Sequence, residues 1–543
     1  MLPVSLFTVL AAGAIALLLY QIIARKYRYF LSKPVPFVKP TLLLGSSGPI
    51  LFRRSDSMSW MKAIYNTFPD SRVIGFYSLM KPTYLIRDPD LIKQIAIKDF
   101  EYFADHSPEL TSTREDDRSS PEDKNLIAQS LFGLRGQKWK DMRSTLSPAF
   151  TGSKMRRMFD LVANCGKSMT DFFLSEAEKG HRLEYDMKNV CTRFANDVIA
   201  SVAFGIPVDS FRNPNNEFYL NGKDMFNFSS PMKIFKIFLM FFVPYKLRKK
   251  FNLDFFDNRI TDYFMQIIMD TMKQREEKNI VQHDMIQMLM MARRGSLKHA
   301  KNEEDVKDAG FATVEESSIG KTENSRVWTK HELVAQCFLF FVAGLDTVST
   351  VMSFLVYELT INPDIQQRLY EEVLETDQNL DGKPLTYEIL QKMQYMDMVV
   401  SEGLRLWPPN VMSDRYCVKN YELDCGPGKK FIIEKGTTVW FPTAPIHHNP
   451  QYYPNPMKFD PERFSVENRS QIKPEIYLPF GIGPRNCIGS RLALMEIKSG
   501  VYHLLRKFSL EPTEKTQIPL RLAKHLMAVQ AEKGVWVELK PRQ

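Results

Sequence analysis

The chain has 543 residues, of which 44% are apolar and 25% are charged. This composition is typical of globular proteins and excludes disordered, collagen-like and coiled-coil classes for most of the chain. The formal net charge of +9 is spread along the sequence. It favours an anionic membrane surface or an acidic protein partner at least as much as a nucleic acid, and we predict no nucleic-acid binding. The six cysteines form no CxxC pair, which indicates reduced thiols in a domain that faces the cytosol.

The N-terminal segment predicts a membrane anchor. Residues 2–23 carry no charge and are rich in Leu, Ala, Val and Ile, and about 20 apolar residues suffice for a helix to cross a bilayer. The basic residues that follow place the rest of the chain on the cytoplasmic side: Arg25, Lys26 and Arg28. A cleaved signal peptide is the alternative, but it would have a basic start and a shorter apolar core. We therefore predict a retained anchor over residues 1–31, with a membrane helix at about 2–23 followed by a basic flank.

The remaining chain predicts a mainly α fold with small β-sheets. A proline-rich hinge over residues 32–45 comes first, because proline cannot continue a helix. Helical patterns then predominate, and two polar stretches, 107–124 and 298–326, predict surface segments. The second stretch is either an interdomain linker or a long loop inside one domain. Short strands are predicted at 72–77, 83–86, 431–439 and 534–539, and helices start at Asp88 and at Gly489.

An apolar run between Pro231 and Pro244 has basic residues on both sides. It is too short to span a bilayer. It is either a buried core helix or a segment that dips into the membrane interface.

A long apolar helix is predicted from Thr329 to about residue 361. Thr329 and Glu332 form a capping box, and Asn362-Pro363 ends the helix. Gly344 and Asp346 interrupt its apolar centre. There a glycine lowers the stability of the helix, and a buried carboxylate without a partner costs free energy. The polar centre argues against a second membrane span. The helix is then either a core helix with a chance glycine or one that passes closely over a bound group.

In the second case Gly344 provides room for the bound group, and Asp346 and Thr347 take part in proton transfer. Leu339, Ala343 and Thr347 follow one another at intervals of four residues and share one helix face. Leu339 and Ala343 are therefore candidate substrate-pocket residues.

A glycine-rich loop, residues 480–489, precedes the last predicted helix and carries Cys487. The start of a helix favours a thiolate, and a thiolate in an apolar loop requires a metal or another cation. A cysteine at a helix start is usually a small buried apolar residue, so the position alone does not decide between the two roles.

Five motifs in order give the chain its resemblance to the cytochrome P-450 superfamily, and they extend over essentially its whole length. The loop resembles the haem-binding signature of that family, from Phe480 through Arg485 to Cys487. The other motifs resemble its WxxxR, AGxDT, ExxR and PERF elements: Trp139 with Arg143, Ala343 to Thr347, Glu402 with Arg405, and Pro461 to Phe464. The amino-acid sequence of the cysteine loop is most similar to that of insect microsomal members that metabolise foreign compounds.

The resemblance implies one large haem domain, residues 46–543, in the endoplasmic reticulum membrane and facing the cytosol. It implies haem b with Cys487 as the axial ligand and with Trp139, Arg143, Arg415, Phe480 and Arg485 around the cofactor. It further implies that Asp346 and Thr347 assist oxygen activation, and that Glu402 forms a buried structural network with Arg405 and Arg463.

The implied activity is insertion of one oxygen atom from O₂ into an apolar small molecule. The substrates are either xenobiotics, such as plant toxins and insecticides, or endogenous hormones, fatty acids or pheromones. Electrons would come from NADPH through a flavoprotein reductase, with cytochrome b5 as a further donor. Candidate residues for docking the reductase are basic: Lys138, Lys140, Arg156, Arg157 and Lys498.

Two other functions are compatible with a haem-thiolate loop. A reductase-independent isomerase or dehydratase tends to lose the acid–threonine pair, which is intact here. A non-catalytic haem sensor would need neither Thr347 nor a membrane anchor.

Overall fold

The computed structural model describes residues 6–108, 125–226, 231–243, 255–294, 310–322, 326–426, 428, 430–524 and 529–542. These residues divide into two compact units. The first comprises the described residues within 1–105, 411–446 and 524–528, and the second those within 106–410, 447–523 and 529–543.

The described residues are mainly helical with three small sheets, as predicted. The helices are α1 Leu6–Lys26, α2 Gly48–Leu51, α3 Ser57–Asn66, α4 Pro89–Lys93, α5 Leu126–Gln129, α6 Gly136–Leu146, α7 Gly152–Glu178, α8 Met187–Ile199, α9 Glu217–Met225, α10 Pro231–Phe242, α11 Asn258–Lys278, α12 Met285–Arg293, α13 Lys330–Ile361, α14 Pro363–Leu380, α15 Tyr387–Lys392, α16 Gln394–Leu406, α17 Thr443–His447 and α18 Ser490–Lys507. The strands are β1 Val73–Ser78, β2 Lys81–Ile86, β3 Glu184–Asp186, β4 Ser413–Tyr416, β5 Tyr421–Asp424, β6 Lys430–Ile433, β7 Thr438–Phe441, β8 Phe508–Pro512 and β9 Trp536–Pro541.

The first unit contains a four-stranded sheet in the order β1-β2-β7-β4 and the hairpin β5-β6. Strands β1 and β2 are antiparallel, with Val73 opposite Ile86, and β7 lies parallel to β2. The strand predictions at 72–77 and 83–86 are confirmed. The predicted helix start at Asp88 is also confirmed, because its carboxylate accepts a hydrogen bond from the Leu91 amide at 2.9 Å.

The segment after α1 belongs to the core of this unit. Phe30 is 1% exposed, and its ring lies 5.2 Å from those of Tyr77 and Tyr84. A Cβ atom at Gly75 would come within 2.6 Å of the Phe30 ring, so this packing requires a glycine. Tyr27 and Phe30, which belong to the predicted basic flank of the anchor, therefore pack in this unit.

The predicted hinge, 32–45, is tied to strand β1. The Val38 amide donates to the Gly75 carbonyl at 2.9 Å, and the Gly75 amide donates to the Pro36 carbonyl at 2.9 Å. The segment is free of helix beyond Ser32, as its prolines require, but its backbone bonds fix it to the sheet.

The second unit is built around α13, which packs against α8 and α18, and contains the three-stranded sheet β3-β9-β8. Both hydrogen bonds of the predicted capping box between Thr329 and Glu332 are present. Helix α13 is long and apolar enough to cross a bilayer, but 67% of its most apolar stretch is buried inside the protein. It is a core helix, as the polar residues at its centre predicted.

The polar stretch 298–326 is not an interdomain linker, because the described residues on both sides lie in the same unit. Residues 310–322 pack on that unit: the ring of Phe311 lies 5.2 Å from Phe464 and 5.5 Å from Tyr477. Of the other polar stretch, residues 109–124 lie outside the described residues.

Candidate active site

The loop that carries Cys487 folds as a tight turn ahead of α18. Gly481 and Gly483 have φ values of 75° and 76°, a conformation that favours glycine. The Cys487 amide donates to the Phe480 carbonyl at 2.8 Å and closes the loop. Of the six cysteines, Cys487 is the exposed one.

Cys487 is an exposed residue, but protein atoms around its thiol partly exclude water from the sulfur. Burial raises the pKa of this thiol, against opposing effects of the Gly489 amide and the positive charge of Arg143. A cation bound to the sulfur would stabilise the thiolate against this effect. The donor chemistry fits a thiolate-ligated metal.

The structure brings Trp139, Arg143 and Arg485 together beside this loop. Trp139 is 1% exposed on α6, and the Arg485 guanidinium stacks 4.0 Å from the centre of its ring. Arg485 also donates to the carbonyls of Leu131 at 3.2 Å and Leu134 at 2.8 Å. These backbone bonds fix the direction of a cationic side chain that is 9% exposed.

Arg143 holds the residue that precedes the cysteine. Its Nη1 and Nη2 atoms donate to the main-chain and side-chain oxygens of Asn486, both at 2.8 Å. Its other edge pairs with Glu316, with Nη2 2.6 Å from Oε2. Neither partner is predictable from the sequence, because neither belongs to the motif that contains Arg143.

Arg415 lies in the first unit, on β4. It is 1% exposed, its Nη1 atom donates to the Asp414 carbonyl at 2.7 Å, and its guanidinium lies 5.5 Å from the centre of the Phe441 ring. Burial lowers the pKa of Arg415 to about 10. Its role at a cofactor stays a prediction.

One face of α13 is accessible although most of this helix is buried. Ala343 is exposed, and Leu339 and Thr347 are half-buried, which agrees with their predicted common face. The Thr347 hydroxyl donates to the Ala343 carbonyl at 2.6 Å. Its oxygen lone pairs remain available to accept a hydrogen bond from a group on that face.

A neighbouring helix packs closely against Gly344. A Cβ atom at Gly344 would lie 2.5 Å from Cδ1 of Ile199 in α8. This packing favours a glycine here, and the room that Gly344 would give to a bound group stays a prediction.

The carboxylate of Asp346 has a cationic partner. Nζ of Lys188, in α8, lies 2.9 Å from Oδ1 of Asp346, and it also donates to Ser349 at 2.7 Å and Thr350 at 2.8 Å. The sequence analysis missed Lys188, which lies 158 residues away along the chain. The acid is therefore part of a polar cluster rather than a lone side chain.

Glu402, Arg405 and Arg463 meet as predicted. The side chains of Glu402 and Arg405 are both 0% exposed, with Nε 2.6 Å from Oε2, and Nε of Arg463 lies 3.4 Å from Oε1 of Glu402. His447 is a further member that the sequence analysis missed. Its carbonyl accepts from Arg405 at 2.8 Å, and its Nε2 accepts from the Leu478 amide at 2.8 Å.

The candidate docking residues differ in exposure. Lys498 is 0% exposed and pairs with Asp397 at 2.8 Å, so its predicted place on a docking face is wrong. Lys138 pairs with Glu332 at 2.7 Å. Arg156 and Arg157 are exposed on α7.

A family model for cytochrome P450 matches residues 47–539. The chain belongs to the cytochrome P450 family. Cytochrome P450 9e2 of Blattella germanica is 42% identical over 98% of this chain and 97% of its own length. Cytochrome P450 9b2 of Drosophila melanogaster is 37% identical over 98% and 99%. Cytochrome P450 6k1 of Blattella germanica is 36% identical over 97% and 95%.

Membership of this family defines the chemistry of the site. Cytochromes P450 are monooxygenases that use O₂ at a thiolate-ligated haem, so this P450 is a monooxygenase of that class. The resemblance stated from the motifs, including its insect character, is confirmed. The exposed Cys487 and the arginines beside it are a donor set that fits such a haem.

Proposed function

We propose that this P450 is a microsomal enzyme that oxygenates apolar xenobiotics, such as plant toxins or insecticides, with electrons from an NADPH-dependent reductase. The observation that carries the proposal is the Cys487 loop, in which an exposed cysteine lies just before a helix and Arg143 contacts the preceding residue. The accessible face of α13 around Ala343 supports an apolar substrate, because its side chains offer few polar contacts.

In this proposal the Cys487 sulfur would bind the iron of a haem b, and Trp139, Arg143 and Arg485 would hold its propionates. The bound haem supplies the iron at which O₂ is activated. The Thr347 hydroxyl, fixed by the Ala343 carbonyl, accepts a hydrogen bond at the reacting face and orients a proton there. Asp346 and Lys188 supply protons from the polar cluster behind it.

Two apolar elements support a membrane location. Helix α1 has no charged residue before Arg25, and its side chains Leu10, Leu17 and Leu18 are 59–63% exposed, as expected for an anchor in lipid. Met232 and Phe235 in α10 are 72% and 55% exposed, which favours the interfacial interpretation of that helix over a buried one. The reductase, with cytochrome b5 as a second donor, would dock through basic residues such as Arg156 and Arg157.

Replacement of the axial ligand tests the haem assignment. We expect Cys487→His to abolish the absorption band of the reduced carbon monoxide complex that is typical of haem-thiolate proteins. The matched control is Cys425→Ser, at a half-buried cysteine in the first unit, which should keep the band. A folded Cys487→His protein that keeps the band would contradict the assignment.

A product screen tests the substrate class. The full-length enzyme, in membranes with reductase and NADPH, is offered apolar plant toxins and insecticides alongside fatty acids and steroid hormones. We expect NADPH-dependent products with one added oxygen atom mainly from the first group. Efficient turnover of one endogenous compound only would replace the xenobiotic role by a biosynthetic one.

A further inference from the structure

Residues 310–322, here called the Glu316 strap, are partly exposed but contact the cysteine loop at Asn486. At one end the Phe311 amide donates to Oδ2 of Asp397 at 2.9 Å, and Asp397 pairs with the buried Lys498 at 2.8 Å. Together with the contacts of the Phe311 ring, this fixes the strap at its start. The sequence predicted only a polar surface segment here, and the proposed function assigns it no role.

Further along, the strap reaches the residue next to the cysteine. Nδ2 of Asn486 donates to the Glu315 carbonyl at 2.9 Å. The Glu316 carboxylate lies 3.0 Å from Nε and 2.6 Å from Nη2 of Arg143. This ion pair is largely shielded from solvent, because the side chain of Arg143 is 3% exposed and that of Glu316 is 23% exposed.

Arg143 in turn has little hydrogen-bonding capacity left. A guanidinium has five N–H donors. The described bonds to Glu316 and Asn486 use four of them: one on Nε, two on Nη2 and one on Nη1. One Nη1 donor is left for any further group, such as a propionate. Arg143 therefore connects the strap to Asn486 and keeps one donor for such a group.

Asn486 is held at every polar atom. Its Oδ1 and main-chain oxygen accept from Arg143, its Nδ2 donates to Glu315, and its own amide donates to the Gly483 carbonyl at 2.9 Å. Because the next residue is Cys487, a shift of Asn486 moves the backbone that carries the sulfur. Partners of this kind commonly orient a metal ligand and tune its strength.

We propose that the Glu316 strap positions the axial cysteine: Glu316 orients Arg143, and Arg143 with the Glu315 carbonyl fixes Asn486 and so the sulfur of Cys487. The proposal rests on the proposed role of Cys487 as the haem ligand. Its consequence is that a segment more than 160 residues away in sequence controls how firmly the haem is held and whether its ligand stays a thiolate.

The test uses the full-length holoenzyme and the variant Glu316→Gln, which removes the charge and keeps the size of the side chain. Two measurements do not require turnover: the rate at which haem transfers to excess apomyoglobin, and the fraction of the reduced carbon monoxide complex that loses the thiolate-type band. Orienting partners of metal ligands are commonly worth about 10- to 100-fold in affinity. We expect about a tenfold faster haem transfer and a larger fraction without the thiolate-type band.

Glu315→Gln is the matched control. It removes the same charge from the neighbouring residue, whose exposed side chain makes none of the described hydrogen bonds and whose carbonyl is retained. It should behave as the unchanged enzyme. Glu316→Asp should give an intermediate transfer rate, and this variant carries the test if Glu316→Gln does not retain enough haem for measurement.

Two results would overturn the proposal. One is a Glu316→Gln holoenzyme with unchanged haem transfer and spectrum. The other is an equal acceleration by Glu315→Gln, which would show a general charge effect. Both are distinct from failure of the proposed function, because in that case the unchanged enzyme would itself lack the thiolate-type band that Cys487→His removes.

Discussion

At the scale of single residues, Thr347 combines accessibility with a fixed hydroxyl. The Thr347 hydroxyl donates its hydrogen to the Ala343 carbonyl at 2.6 Å. The hydroxyl oxygen can therefore act as an acceptor with a fixed orientation. We expect Thr347→Ala to uncouple NADPH consumption from product formation, since water and protons then reach the oxygen-activating site without this control. Product per NADPH should fall by up to about 100-fold, the range for one proton-transfer group, while hydrogen peroxide rises.

The measurement is the ratio of product to NADPH, with peroxide determined in the same reaction. Thr347→Ser is the control, because it keeps the hydroxyl and should retain most of the coupling. An unchanged ratio in Thr347→Ala would assign this residue to packing alone.

Glu402 joins two arginines in a site without solvent. Its side chain is 0% exposed, and it bonds Arg405, Arg463 and the Asp460 amide. Removal of one member of a buried ion network leaves the others without a partner and costs about 3–5 kcal/mol. That is a large part of the ~5–15 kcal/mol that stabilises a typical domain.

We therefore expect Glu402→Ala to prevent stable haem incorporation. The haem content per protein and the yield of folded protein measure this. Glu462→Ala is the control, since Glu462 is exposed and pairs with Arg368 at the surface. Normal haem content in Glu402→Ala would show that the network is not needed for the folded site.

The sequence motifs identify the main residues of the candidate site but not the side chains that contact them. Cys487, Arg143, Glu402 and Thr347 lie in short local patterns that the sequence displays directly. Lys188, Glu316 and His447 contribute through contacts with residues 42 to 173 positions away, and no spacing in one sequence encodes such a contact. Lys498 was misassigned for the same reason: a lysine on a helix looks solvated until its neighbour Asp397 is known.

At the scale of elements, α13 has one feature that depends on neighbouring residues in sequence and another that depends on a different helix. Its start was predictable because the capping box between Thr329 and Glu332 involves residues three apart. The packing role of Gly344 could not be predicted, because it depends on Ile199 of another helix. Near its end, α13 carries Glu358, which is 5% exposed and accepts from Nε1 of Trp407 at 2.8 Å.

Glu358 makes stability dependent on pH. Burial raises the pKa of Glu358 to about 7, with a further increase from Glu402 and opposing effects from Trp407, Asn362 and Arg405. The folded state thus holds this proton more tightly than the unfolded chain, whose glutamate pKa is about 4.3. The stabilisation is fully present below about pH 4.3 and is lost as pH rises to about 7.

We expect Glu358→Gln to remove this contribution. The amide stays neutral, and its oxygen can still accept from Trp407. Relative to the unchanged protein, the variant should be equally stable near pH 4 and more stable at pH 8, by up to about 3 kcal/mol. Denaturant unfolding at the two pH values measures the difference. A constant difference across this range would contradict the raised pKa.

At the scale of the whole molecule, the order of elements followed from the sequence better than their contacts did. The anchor, the hinge and the helical remainder were assigned from composition. The predicted anchor and basic flank, residues 1–31, include Tyr29 and Phe30. In the structure Phe30 is buried against Tyr77 and Tyr84, and Tyr29 bonds Glu434.

Two truncations test this boundary and the membrane contacts. Removal of residues 1–25 deletes the apolar helix and keeps Tyr27, Tyr29 and Phe30, so the protein should fold with the stability of the full chain. Removal of residues 1–31 also deletes Phe30, and loss of a buried phenylalanine costs about 3–5 kcal/mol. We expect a clearly lower midpoint of thermal unfolding for the longer truncation, and equal midpoints would show that Phe30 does not stabilise the fold.

The shorter truncation should still sediment partly with liposomes that contain anionic lipid, because the exposed side chains of Met232 and Phe235 provide a second apolar contact. Adding Met232→Glu and Phe235→Glu should abolish that fraction, since each change places a charge where the helix would enter the interface. The matched control is Val466→Glu with Met457→Glu, at two exposed apolar residues outside both apolar helices, which should leave sedimentation unchanged. If the shorter truncation is wholly soluble without detergent or added salt, α10 does not bind membranes and α1 alone attaches the enzyme.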